Sequence, residues 1–140
     1  MSGEQRPGPG QSLPGEELTL TRGDLDRYAE ASGDHNPIHL DDDMARQFGL
    51  ADGVIAHGML VMGRMATYVQ SALGGSTPTS FRVRFRLPVR PGVPLLLTGR
   101  VASVDGETVV VEVAVAPKAG GGPAVTGTWT GNWGPGSQGH

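Results

Sequence analysis

A cluster of titratable side chains lies within the stretch SGDHNPIHLDDD, residues 32–43. Asp34 and His39 are five positions apart, and Pro37 between them favours extended backbone at Asn36, so the stretch cannot be a regular helix. Irregular backbone leaves the two side chains free to converge. A carboxylate and an imidazole that share one water molecule form an acid–base pair whose pKa values can straddle neutral pH. We therefore predict acid–base chemistry at Asp34 and His39, with Asn36 holding the turn or orienting Asp34.

Two other interpretations of this stretch are open. Aspartate and asparagine beside proline are common in loops because they hydrogen-bond their own backbone, and residues 41–43 are most simply a solvated acidic run that caps a helix. The carboxylates and histidines also offer oxygen and nitrogen ligands to a metal ion. Their spacing matches no zinc or calcium loop and His57 is distant in sequence, so we predict no metal site.

Composition limits the kind of partner. The 140 residues carry 11 Lys and Arg against 14 Asp and Glu, a formal net charge of -3, so no basic field indicates nucleic acid or an anionic membrane. The absence of cysteine excludes disulfides and thiolate nucleophiles. No apolar run approaches the roughly 20 residues that span a bilayer, and the polar N-terminus lacks the apolar core of a secretory signal. We expect a cytoplasmic protein that binds neither nucleic acid nor membrane.

Glycine and proline are concentrated towards both ends of the chain. A chain of this length typically forms one domain, and glycine- and proline-rich ends are typical of tails that do not pack. We therefore predict disordered tails at residues 1–15 and 134–140. The ordered domain is predicted to occupy residues 16–133.

Two short helices are predicted on either side of the titratable cluster. Thr21 is a typical N-cap residue and predicts a helix over residues 22–31. Asp42 or Asp43 is predicted to cap a second helix over residues 44–48. The irregular stretch that carries the titratable groups would then be held at both ends by regular structure.

The rest of the pattern predicts one buried helix and a sheet. Residues 57–73 contain a single permanent charge, Arg64, so a helix there must be buried on most sides. Four later segments predict strands: FRVRFRLPV at residues 81–89, which alternates apolar and polar residues, and then LLLTGRVASV, TVVVEVAVA and AVTGTWTGNW. Asp105-Gly106 is a strong hairpin signal. With a short strand at residues 18–20, these segments predict an α+β fold, a curved antiparallel sheet wrapped around a long central helix. Such a sheet leaves an exposed edge, which predicts a homodimer.

The residues around the cluster match a family signature that runs aromatic, small-Gly-Asp, any residue, Asn-Pro, aliphatic, His. Tyr28 and the run SGDHNPIH at residues 32–39 satisfy it, and the later stretches VIAHGML and FRLPVRPGVPL add to the match. Over residues 18–133 the chain resembles the MaoC-like (R)-specific enoyl-CoA hydratases and (3R)-hydroxyacyl thioester dehydratases. The resemblance implies a single hotdog fold, which agrees with the predicted helix and sheet.

The resemblance also implies an activity and a set of site residues. The family's catalytic pair corresponds to Asp34 and His39, its supporting asparagine to Asn36, and its variable position to His35. The backbone N–H of Gly58 would receive the thioester carbonyl. The implied enzyme is a hydro-lyase without a cofactor that reversibly hydrates trans-2-enoyl thioesters of coenzyme A or an acyl carrier protein to (3R)-3-hydroxyacyl thioesters. The sequence does not assign each proton transfer to one member of the pair.

Elementary physics agrees with the role of Gly58. It lies at the start of the predicted long helix, where N–H groups lack partners and the helix dipole is positive, so the position suits an oxygen that gains negative charge. His57, Met59, Met62 and Tyr68 are candidates for substrate binding. Each methionine is more simply a core residue, and His57 is expected to pack or to make a cap-like hydrogen bond rather than to take part in the chemistry.

Four arginines lie at or just after the segment 81–89 and form a basic stripe. Arg82, Arg84, Arg86 and Arg90 form either a solvated strand face or a contact for phosphates or an acidic carrier protein. The same fold also supports thioester hydrolysis. Two further alternatives are a polyketide-tailoring dehydratase or cyclase that acts on a carrier-bound thioester, and a partner-dependent subunit of a hetero-oligomeric dehydratase.

Overall fold

The structure is a computed structural model that describes residues 6–133. It contains three α-helices, one short 3-10 helix and five strands within that range. In chain order they are β1 (Glu16–Leu18), α1 (Arg22–Ser32), the 3-10 helix (Pro37–His39), α2 (Asp42–Gln47), α3 (Gly58–Ala72), β2 (Ser76–Phe85), β3 (Leu95–Asp105), β4 (Thr108–Pro117) and β5 (Val125–Trp133).

The five strands form one antiparallel sheet in the order β1-β3-β4-β5-β2. The helix α3 packs against this sheet through its buried residues Val61, Met65, Tyr68 and Val69. The α+β architecture predicted from the sequence, a sheet around one long helix, is therefore confirmed. No helix within residues 6–133 is long and apolar enough to cross a bilayer.

The alternation of side chains along the strands explains which face of the sheet meets α3. Successive residues of a strand point to opposite faces, so every second residue of a half-buried strand is apolar. Along β4 the buried members are Val109, Val111, Val113 and Val115. The predicted hairpin between β3 and β4 is also confirmed, because Asp105 pairs with Thr108 around a turn in which Gly106 has a φ of 61°.

Two predicted strands lie elsewhere in the sequence than expected. The first strand covers residues 16–18 instead of 18–20. The strand predicted at residues 81–89 begins at Ser76 and ends at Phe85, because the next two N–H groups both donate to the carbonyl of Ala124, at 2.8 and 3.1 Å, and so leave the regular ladder.

The second short helix is capped by a different aspartate from the two predicted. Asp41 accepts hydrogen bonds from the N–H groups of Asp43 and Met44 and is the N-cap of α2. Asp42 is engaged by tertiary contacts instead, since its carboxylate accepts from the N–H of Val54 at 3.0 Å and from Arg22 at 2.9 Å.

The segment before β1 is ordered, so the prediction of a disordered tail over residues 1–15 is wrong for residues 6–15. The N–H of Leu13 donates to the carbonyl of Gly99 at 2.8 Å, and Val101 exchanges bonds with Gly10 and Gln11 at 2.7 and 2.8 Å. The Leu13 side chain is buried against the core. Together with β1, this segment covers the outer edge of β3. The tail predicted at residues 134–140 lies outside the described residues.

Candidate active site

Local hydrogen bonds hold the irregular stretch that follows α1. The helix ends at Gly33, whose φ of 79° is left-handed. The N–H of Asp34 then donates to Ser32 Oγ, the N–H of Asn36 to Asp34 Oδ1, and the N–H of Ile38 to Asn36 Oδ1. Two successive turns closed by Asp and Asn side chains therefore replace helix here. Asn36 holds the turn with its side chain and contacts Asp34 through its backbone N–H.

The structure brings the predicted pair together. Asp34 Oδ2 lies 3.9 Å from His39 Nε2, with side chains that are 49% and 10% exposed. His39 Nδ1 lies 2.8 Å from the carbonyl oxygen of Ile55. Because that carbonyl can only accept, Nδ1 carries the proton, and Nε2 of the neutral ring is an acceptor. Two acceptors at this distance make no direct hydrogen bond, but one water molecule can donate to both.

His57 lies beside the pair, which its distance in sequence did not indicate. Its ring stacks on that of His39 with centroids 3.9 Å apart and planes inclined by 25°, and it contacts the ring of Tyr28 at 4.8 Å. His57 Nε2 lies 3.1 Å from the backbone carbonyl oxygen of Asp34 and donates to it. The residue packs as predicted, but its side chain makes no cap hydrogen bond although it is the N-cap of α3.

The three residues also have the proximity of a metal site. Asp34, His39 and His57 each place one potential ligand atom within 4.8 Å of the others, a grouping that the sequence spacing did not predict. His57 Nε2 already donates to a carbonyl oxygen and carries the proton, so only the Nδ1 lone pair of His57 is left as a potential ligand atom. Asp34 Oδ2 and His39 Nε2 both remain free to accept hydrogen bonds from one water molecule, as acid–base chemistry requires.

Burial lowers the pKa of the His57 imidazole below its ordinary value of 6.5, although the carbonyl of Asp34 raises it in part. The unfolded chain therefore binds a proton at higher pH than the folded chain does. This contribution to stability is complete above 6.5 and is lost as the pH falls through the lower pKa of the folded state. We expect the urea concentration at the unfolding midpoint to decrease as the pH is lowered from about 7 to about 5.

The matched variants of this pH experiment are His57→Phe and His35→Phe. His57→Phe removes the titrating group and should make the urea midpoint less dependent on pH. This holds whether or not the substitution changes stability at any single pH. His35 is exposed, so the second should keep the dependence of the wild type. An unchanged slope in His57→Phe would show that other groups cause it.

A cavity of about 350 Å³ adjoins His39. Gly58, the first residue of α3, lies in its wall, and no acceptor among the described residues receives the Gly58 N–H. The remaining lining is mostly apolar and includes Ile55, Val61, Phe85, Leu87 and Val125. An imidazole, a helix N-terminus with a free N–H group and an apolar wall therefore share one space, which suits a carbonyl that gains negative charge next to an apolar chain.

The other predicted substrate contacts do not line this cavity. Met59 is 61% exposed, Met62 is half-buried, and Tyr68 is buried with its hydroxyl donating to the carbonyl of Pro14 at 2.8 Å. Tyr68 thus anchors the N-terminal segment to α3. The apolar lining comes instead from Ile55, from Phe85 at the end of β2 and from the loop that follows β2, and nothing in the sequence pattern indicated these residues.

The basic stripe is divided between different environments. Arg82 and Arg84 are exposed along a groove of about 660 Å³ on the outer face of the sheet, away from α3. Arg86 lines both this groove and the cavity beside His39. Arg90 instead lies 3.2 Å from the carboxylate of Asp52. Contact of the stripe with phosphates or an acidic carrier stays a prediction.

A family model described as MaoC like domain matches residues 5–119. The chain belongs to the MaoC-like domain family. Its fold is the hotdog fold expected from the resemblance. The structure of the unliganded R-hydratase PhaJ1 of Pseudomonas aeruginosa is similar to it with a TM-score of 0.78 and 28% identity, over 89% of this chain and 81% of that one.

Curated relatives of this MaoC-like domain include two named dehydratases. It is 34% identical over 93 residues to 3-hydroxyacyl-thioester dehydratase X of Mycobacterium tuberculosis, covering 64% of this chain and 32% of that protein. It is 36% identical over 73 residues to the mitochondrial 3-hydroxyacyl-[acyl-carrier-protein] dehydratase of Arabidopsis thaliana, covering 52% of this chain and 43% of that protein. The chain thus spans less than half the length of either relative.

Proposed function

We propose that this MaoC-like domain reversibly hydrates trans-2-enoyl thioesters to (3R)-3-hydroxyacyl thioesters. The observation that carries the proposal is the 3.9 Å separation of Asp34 Oδ2 from His39 Nε2, next to a cavity that contains the Gly58 N–H. The likeness to a named R-hydratase and to two named dehydratases supports the same reaction. A carrier of the pantetheine type, coenzyme A or an acyl carrier protein, is part of the proposal.

In the hydration direction the two acceptors hold one water molecule between them. The water oxygen attacks C3 of the enoyl thioester while one of its protons passes to the pair, and a proton from the pair is delivered to C2. The bond from His39 Nδ1 to the carbonyl of Ile55 stabilises the ring when Nε2 takes up a proton. We assign the proton transfers to the pair as a unit.

The negative charge that develops on the thioester oxygen would be stabilised by the Gly58 N–H. A Cβ built at Gly58 would lie 3.0 Å from the ring of Phe85, which is half-exposed and can move. Gly58→Ala should therefore fold but narrow the approach to the N–H. We expect kcat/KM to fall towards the roughly 10²–10³-fold loss seen when an oxyanion donor is removed.

Gly63→Ala is the matched control for this substitution. It adds the same methyl group to the same helix, at an exposed position with no atom within 4 Å of the new Cβ. Its kcat/KM should equal that of the wild type in the same enoyl-CoA assay. Equal activity of Gly58→Ala and Gly63→Ala would remove Gly58 from the proposed site.

One assay separates the proposed activity from its main alternatives. Crotonyl-CoA is incubated with the purified protein while loss of enoyl conjugation and release of free thiol are followed in parallel. Hydration removes the conjugation and leaves the thioester intact, whereas hydrolysis releases thiol.

Retained activity after dialysis against EDTA is expected for acid–base chemistry. Hydration that appears only after a second MaoC-like chain is added would favour a partner-dependent subunit.

We further propose that two copies pair through the outer edge of β2. The opposite edge of the sheet is covered by β1 and by the segment before it, while β2 has a neighbour strand on one side only among the described residues. Phe85 and Leu87, at and beyond the end of β2, are each 50% exposed. An open strand edge next to exposed apolar side chains is what a second copy would cover.

The oligomeric state can be measured directly. Light scattering coupled to gel filtration should give twice the chain mass of 14.5 kDa for the purified protein. A single-chain mass that persists at high protein concentration, with hydration activity present, would contradict the homodimer.

A further inference from the structure

We infer that His57 is a positioning residue that fixes both members of the proposed acid–base pair at once. It does so through a hydrogen bond to the backbone of Asp34 and through ring stacking on His39. The inference rests on the proposed function, because it assigns to His57 the geometry that the reaction requires. Sequence and family signature gave His57 no such role.

The hydrogen bond ties the loop of Asp34 to the start of α3. The other polar contacts of Asp34 within the described residues are with Ser32, with Asn36 and, more distantly, with His39, and the first two lie within two positions of it in sequence. The bond from His57 Nε2 to the carbonyl oxygen of Asp34, at 3.1 Å, joins positions 23 residues apart. The N–H of Asn36 holds the Asp34 carboxylate within its own turn, and the His57 bond joins that turn to the start of α3.

The stacking contact fixes the other member of the pair. The ring of His39 is held at its edge by the carbonyl of Ile55 and on its face by the ring of His57. His57 also contacts the ring of Tyr28 in α1. One buried imidazole therefore links α1, the 3-10 helix and α3 at the point where the proposed pair forms.

The chemistry of the second ring nitrogen indicates that packing alone does not explain an imidazole here. His57 Nδ1 is buried and has no hydrogen-bond partner among the described residues. A buried polar atom without a partner lowers stability, and a phenyl ring would fill the same space without that cost. The N–H group on the opposite side of the ring is what phenylalanine lacks. Burial also lowers the pKa of His57, so the ring adds no positive charge beside His39 near neutral pH.

Two substitutions separate the hydrogen bond from the packing. His57→Phe keeps an aromatic ring but removes the donor, and His57→Gln keeps an N–H donor but removes the ring. In the crotonyl-CoA assay we expect His57→Phe to lower kcat by about 10²-fold, because a small misplacement of the reacting groups has an effect of that size. KM should change little. His57→Gln should recover part of the loss. The same two substitutions at exposed His35 should leave kcat unchanged.

A spectroscopic measurement keeps the test independent of turnover. In the wild type labelled with nitrogen-15 histidine, the ring signals should show a protonated Nδ1 in His39 and a protonated Nε2 in His57. His57→Phe should broaden or shift the His39 signals, and His57→Gln should do so less. Wild-type kcat together with unchanged His39 signals in His57→Phe would overturn the inference. If His57→Phe does not fold, His57→Gln decides. The inference is then overturned if the kcat of His57→Gln is as low as that of Asp34→Asn while His35→Gln keeps the wild-type kcat.

The outcome for the inference can be told apart from that for the proposed function. If the wild type hydrates no enoyl thioester, the proposed function fails, and the ring signals alone decide whether His57 positions His39. If the wild type is active, Asp34→Asn is slow and His57→Phe is as fast as the wild type, the function stands and the inference fails.

Discussion

Replacing Asp34 by asparagine is expected to lower kcat for hydration by about 10²–10⁴-fold, the usual contribution of one general acid or base. The amide has nearly the same shape and retains an oxygen that can accept the N–H of Asn36, so the turn should survive. The asparagine amide, however, cannot accept a proton from the bound water. Because the side chain is half-exposed, the loss of its charge leaves no buried group without a partner.

Asp43→Asn is the control for this substitution. Asp43 is an exposed aspartate of the same acidic stretch, and its carboxylate lies 3.3 Å from Arg46 in an exposed pair that contributes little to stability. Its kcat and its thermal unfolding midpoint should match those of the wild type. Wild-type turnover in Asp34→Asn would contradict the proposed acid–base pair directly.

Replacing His39 by glutamine should lower kcat by a similar factor of about 10²–10⁴. Glutamine retains an N–H group that can donate to the carbonyl of Ile55, but it has no nitrogen that takes up a proton near neutral pH. The buried ring also stacks on His57, so we expect a lower thermal unfolding midpoint than for Asp34→Asn. Activity should be compared below the unfolding temperature of the least stable variant.

The double variant Asp34→Asn, His39→Gln tests whether the two residues act on one water molecule. Groups that act as a unit give effects that are strongly non-additive. The double variant should therefore be about as slow as the slower single variant. If the two losses multiply, the residues act in separate steps, and the arrangement in which they share one water molecule is wrong.

The parts of this structure that the sequence predicts are those set by neighbours along the chain. Thr21 and Asp24 form a capping box because each satisfies a backbone N–H within one helical turn. Gly33 ends α1 because the left-handed conformation favours glycine, and the turn of Asn36 follows from its position before proline. The alternation of apolar and polar residues in residues 81–87 likewise depends only on neighbours along the chain, and it predicted a strand there.

Features decided by tertiary contacts were not predictable in this way. Any of three consecutive aspartates is able to cap α2, and Asp41 does so because Asp42 contacts Val54 and Arg22. His57 contacts the pair because the tertiary fold places the start of α3 against the loop of Asp34. No spacing in the sequence predicts that contact. The family resemblance indicated the pair and Gly58 as site residues, but it contained no information about the His57 ring that lies beside the pair.

The segment before β1 has a practical consequence for anyone who excises this domain. A fragment that starts at Glu16, the predicted start of the ordered domain, would lose the acceptor of the buried Tyr68 hydroxyl and the partners of Gly99 and Val101. It would also uncover the edge of β3 at Gly99 and Val101, and bare strand edges promote aggregation. Poor recovery of such a fragment would reflect the loss of residues 6–15 rather than an intrinsically unstable domain.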